Sequence, residues 1–83
     1  MDVQDMADLI YIRDAYKSLN KSLSGAEVTL VFYEGYMGAL GRVFRVIERN
    51  VSDKWKKDDD GAIRILGDTS LTAEERATML LEE

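Results

Sequence analysis

A helical hydrophobic period runs through Glu27–Val51, and inside it Gly35, Gly38 and Gly41 recur at every third position. Val28, Phe32, Tyr36, Ala39, Val43, Val46 and Ile47 fall on one side of a helix. A strand competes over Val28-Thr29-Leu30-Val31-Phe32-Tyr33, a stretch rich in β-formers. The helical stripe crosses that stretch without a change of register, and the sequence offers no second strand to pair with it, so helix prevails. The apolar sector covers about half the helical wheel, from Val28 and Val46 round to Phe44 and Met37, which is wider than one neighbour requires. This helix is therefore expected at the centre of the fold, with the first helix on one side and the C-terminal segment on the other.

Each glycine costs a helix interior ~1 kcal/mol relative to alanine. Three of them imply that something approaches that backbone closely, or that the helix kinks. Successive glycines drift by about 60° around the axis, which makes a slanting groove. Either another helix of the same chain fills that groove or a second molecule docks in it, since small residues let backbones approach. Arg42, Arg45 and Arg49 lie beside the groove, and Lys54, Lys56 and Lys57 follow, with Trp55 among them. A basic face with an aromatic neighbour suits phosphate contact and base stacking. The same arginines also stand at helical spacing from Glu48 and Asp53, which would neutralise them. The net charge of −5 argues against general nucleic-acid binding.

The flanking segments are helical too. Over Val3–Leu23, the residues Met6, Leu9, Ile12, Tyr16, Leu19 and Leu23 recur at steps of three or four and define the expected buried face. Asp2, Asp5 and Asp8 complement the dipole at its start, and Lys17 and Lys21 at its end. Ser24 with Glu27 forms a capping box, and Thr72 with Glu75 forms another ahead of a last helix, Ala73–Leu81, facing inward through Ala73, Ala77, Leu80 and Leu81. Between them, 52–61 reads as a charged connection. Ala62, Ile63, Ile65 and Leu66 read as a short helical turn over 62–67, with Asp60 as cap and Gly67 as stop. The expected fold is all-α, one domain over residues 1–83. Helices 3–23 and 25–51 form an antiparallel hairpin, and a turn and a third helix, 73–81, fold back across it. A chain of this size hides only about 60–65% of its unfolded surface, so a partner would add usefully to its stability.

The chain has no cysteine and no histidine, which removes thiolate metal sites, the commonest metal ligand and the commonest general base together. Serine hydroxyls have no base beside them to activate them. The expectation is a protein that is not an enzyme, with no cofactor and no metal site. Asp58-Asp59-Asp60-Gly61 does not fit a calcium loop: aligning Gly61 with the loop glycine puts Lys56 at the first ligand position and Gly67 at the twelfth. The three aspartates read as an acidic surface. The N-terminus lacks a secretory pattern, and the longest apolar run, Leu30–Tyr33, is far short of the ~18 residues of a span, so the expected location is cytoplasmic with no membrane contact. Tyr11 and Met79 fall outside the apolar stripes and are expected at the surface, where such side chains anchor interfaces.

The leading reading is a non-enzymatic protein–protein interaction module, an adaptor or an inhibitor. It would contact another protein or a second copy of itself through Gly35, Gly38, Gly41, Arg42, Arg45, Arg49 and Trp55. A second reading is a small acidic inhibitor of phage type. Asp58, Asp59, Asp60 and the other carboxylates would imitate a nucleic-acid backbone in the basic cleft of an enzyme. A third is a weak nucleic-acid binder using Arg42, Arg45, Arg49 and Trp55.

Overall fold

Side chains that satisfy free backbone N–H groups set where these helices begin. The Asp5 N–H donates to the Asp2 carboxylate at 2.8 Å, and the Gly61 N–H donates to Asp58 at 3.0 Å. Thr72 and Glu75 exchange bonds of 3.1 and 2.9 Å, a complete capping box. The computed structural model describes residues 1–23 and 30–82, with side chains over 1–19 and 37–82. Five helices follow in order: α1 (Val3–Leu23), α2 (Leu30–Asn50), α3 (Asp53–Lys56), α4 (Asp59–Leu66) and α5 (Ala73–Leu81). Among the described residues there is no strand, and the fold is an all-α bundle built on the α1–α2 hairpin. The capping box of Ser24 and Glu27, and the start of the expected 25–51 helix, lie outside the described residues.

Two expected elements are corrected. The connection 52–61 contains α3 and the first turn of α4, and the turn 62–67 is part of an eight-residue helix. Asp58 rather than Asp60 is the N-cap. Asp59 and Asp60 then lie in the first turn, where their charge complements the dipole, so the helix starts ahead of its apolar cluster.

The core also sits differently. Packing centres on α1 rather than α2: α2 lies against one side of α1 and α5 along the other, while α2 meets α3 and α4 near its C-terminal end. The buried residues of α1 are Met6, Ala7, Ile10 and Arg13. They meet Ile47 and Val51 at the end of α2, Ala62, Ile65 and Leu66 of α4, and Ala77 and Leu80 of α5. The expected face of α1 is thus rotated. Met6 is buried and Leu9 and Tyr16 are half-buried, but Ile12 and Leu19 are each 40% exposed. Leu23 lies outside the described side chains.

Arg13 and Arg76, only 6% and 5% exposed, explain the rotation. Arg76 grips both oxygens of Asp14, at 2.7 and 3.2 Å, and donates to the Leu66 carbonyl at 2.9 Å. Arg13 donates to the same carbonyl and to Asp14, both at 3.3 Å. Burial holds the Arg13 guanidinium below its ordinary value; the Asp14 charge opposes that shift and Arg76 adds to it. The last carbonyl of α4 is thereby capped by two cations.

A second set of bonds closes the far end of α5. The Ser52 N–H donates to the Leu80 carbonyl at 2.9 Å, the Ser52 hydroxyl to Glu82 at 2.7 Å, and the Trp55 indole to Met79 at 3.0 Å. Carbonyls that α5 leaves unpaired at its C-terminus are satisfied from the α2–α3 corner. No buried side-chain nitrogen or oxygen among the described residues lacks a partner. The radius of gyration is 13.7 Å, with extents of 44 × 23 × 22 Å. A compact chain of this length would have ~12 Å, so the bundle is elongated.

Replacing Asp14 with asparagine leaves two buried guanidiniums without their anion. Asp14 itself is 38% exposed, and water recovers part of the loss. The expected cost is about 1–3 kcal/mol, read as a lower urea midpoint; an unchanged midpoint would show that the cluster is dispensable. A Cβ on Gly61 would run into the Asp58 carboxylate and lie 2.8 Å from a Trp55 ring carbon. Gly61→Ala should therefore destabilise by about 1–3 kcal/mol and shift Trp55 fluorescence. Parental stability and emission in that variant would refute the tight packing.

Candidate interaction surface

At 100° per residue, Gly38, Arg42, Arg45 and Arg49 form one stripe along α2, on the side opposite the buried Ile47. α2 runs unbroken through the three glycines. Gly35 lies in its first turns, with surroundings outside the described residues. A Cβ built on Gly38 or Gly41 meets no described atom within 4 Å. Nothing described in this chain fills the groove there.

The arginines are also free of the carboxylates expected to neutralise them. Among the described residues, Arg42, Arg45 and Arg49 make no ion pair, while Asp53 pairs with Lys56 at 3.7 Å. Among the described residues these three exposed arginines face solvent without an ion-pair partner.

Beside this stripe, the end of α2 meets α3 and α4 around a cleft of ≈ 910 Å³. Phe44, Ile63 and Leu66 give it an apolar floor, and Arg45, Arg49 and Lys56 bring cations to its rim, with Glu48 and Asp59 between them. Gly41 continues the floor up α2, one turn before Phe44 and Arg45. The structure thus brings Arg45, Arg49 and Trp55 together at one cleft. Gly38 and Arg42 lie further along the helix.

Trp55 is more a wall than a free platform. Its ring is half-buried, Lys54 Nζ sits 5.0 Å from the ring centroid, and its indole N–H is committed to Met79. Gly61 backs the ring from α4. Of the acidic surface, Asp58 is engaged as a cap, while Asp59 and Asp60 are exposed at the start of α4. No group of three carboxylates among the described residues could hold a metal ion. No described helix is long and apolar enough to cross a membrane.

Sequence reasoning missed Phe44 and Ile63 as parts of one surface. The signal for Ile63 was present: Ala62, Ile65 and Leu66 share a helical face, and Ile63 stands about 100° off it. Its side chain is accordingly 52% exposed. Tyr11 and Met79 are exposed as well, at 70% and 37%.

No protein-family model matches the chain, and no curated protein or solved structure is detectably similar to it. The functional reading rests on the chemistry of these residues.

Because a methyl group at position 38 or 41 enters open space, Gly38→Ala and Gly41→Ala should each raise stability by about 0.5–1 kcal/mol. Denaturant titration checks this. Destabilisation by either would mean that the chain itself occupies the groove.

Proposed function

We propose that the protein is a non-enzymatic interaction module, an adaptor or inhibitor, that receives an acidic amphipathic helix of a partner protein along α2 and in the adjoining cleft. The observation that carries this reading is the set of cations around an apolar floor, of which Arg45 and Arg49 make no ion pair among the described residues. Phe44 and Ile63 offer the burial that gives affinity, and Arg45, Arg49 and Lys56 select for carboxylates and speed encounter. From Gly38 to Arg49 the surface is about 17 Å long, three helical turns, which matches the helix-in-groove mode of recognition. Bare backbone at Gly41 lets the incoming helix approach closely.

Nucleic acid suits the same surface less well. Lys54 already lies over the Trp55 ring, and the chain's net charge of −5 opposes a polyanion at long range.

A designed three-turn helix with leucines on one face and glutamates flanking them serves as the probe, with Trp55 emission and calorimetry as readouts. Binding should weaken as salt rises, and Arg45→Glu combined with Lys56→Glu should cost at least about tenfold in affinity. Ile63→Asp should do the same with the helical circular dichroism unchanged. Absence of binding at millimolar peptide, or binding indifferent to these substitutions, would overturn the reading.

A further inference from the structure

Among the described residues, α4 and α5 cover one side of the α1–α2 hairpin. On α1, Asp14 faces α5 through Arg76, and Ile12, two residues earlier and so about 200° away, faces outward. Leu19, seven residues on, shares that outward face, as do Asp5 and Asp8. On α2, Phe44 and Glu48 line the cleft towards α4, and Val46, two residues from each, lies on the opposite side. Ile12, Leu19 and Val46 are exposed at 40%, 40% and 37%, and the half-buried Ala39, seven residues before Val46, shares its flank.

The charges on this open side are segregated by helix. α1 contributes Asp5 and Asp8, and α2 contributes Arg42 and Arg49, of which Arg49 also borders the cleft. The hairpin sets the start of α1 beside the end of α2, and Met6, Ile10 and Ile47 belong to one core cluster there. Asp5 and Asp8 therefore lie near the level of Arg49, Ile12 near that of Val46, and Leu19 towards Ala39.

We infer that a second copy of this chain covers this side, forming a twofold dimer in which α1 of each copy packs antiparallel on α2 of the other. A twofold axis along the hairpin brings equal levels together. Asp5 and Asp8 then meet the partner's Arg49, Ile12 packs by the partner's Val46, and Leu19 lies towards the partner's Ala39. Pairing α1 with α1 would set carboxylate on carboxylate, so charge selects the crossed arrangement. The patch is self-complementary, as an isologous interface must be, and the product is a four-helix bundle. The cleft side stays free, so the dimer carries two outward clefts.

Sedimentation of the full chain from micromolar to millimolar concentration tests the inference. The expected result is a dimer that dissociates on dilution and more readily at high salt. Asp8→Arg alone and Arg49→Asp alone should each weaken association at least about tenfold, with helical content retained. Mixing the two variants should restore a heterodimer, because one interface then carries the reversed pair and the other the original. Ile12→Glu should give a monomer. A monomer's mass for the parent at every concentration overturns the dimer, as does a dimer indifferent to all three substitutions or single-charge variants that are not rescued by mixing. A monomer that still binds the acidic helix would sink the dimer alone and leave the cleft reading standing.

Discussion

The two buried arginines gripping Asp14 and the Leu66 carbonyl decide how everything else is arranged. Two cations and one carboxylate taken out of water are costly, and such a cluster is weak evidence for stability as such. Its value here is directional. Arg76 fixes the height and rotation of α5 on α1, and the shared carbonyl fixes the end of α4 against both. Once α5 lies on the Asp14 side of α1, Ile10 and Ala7 must be inside and Ile12 must be outside. The open flank of the hairpin follows from that one choice.

Much of the helical framework was legible because its signals are local. Thr72 and Glu75 act within four residues of each other, and Gly67 closes α4 as the pattern suggests. The face of α1 was misread because it has two apolar arcs. Periodicity favours Met6, Leu9, Ile12, Tyr16 and Leu19, whereas the packed arc, Met6, Ala7, Ile10 and Arg13, contains a charge that pattern matching assigns to solvent. Arg13 and Arg76 become core residues only through Asp14 and Leu66, which are distant in sequence. α4 was shortened for a related reason: three aspartates read as a solvated turn until the one that caps is identified.

The surface was legible in part. Arg45, Arg49 and Trp55 belong to the most basic stretch of the sequence, residues 42–57, so composition points at them. The floor that gives them a purpose joins Phe44 of α2 to Ile63 of α4, and no local rule links residues that far apart. Trp55 changes character for the same reason. Its indole needs the carbonyl of Met79, an acceptor that exists only because α5 ends beside α3.

That corner bears directly on how binding would be driven. The C-terminal carbonyls of α5 are satisfied by Ser52 and Trp55, and the start of α4 is capped by Asp58, so the backbone forming the cleft walls has its polar groups paired internally. A partner entering the cleft would order little main chain, which removes a large entropic cost of association. What remains to be ordered are the arginine and lysine side chains of the rim, each losing about 0.5–1.5 kcal/mol of rotamer freedom. In the proposed complex the rim cations would contribute mainly to encounter and selectivity, and the apolar floor would supply most of the affinity. The division follows from where this chain puts its charges: buried arginines hold the helices in place, and exposed ones are left without counter-ions beside an apolar cleft.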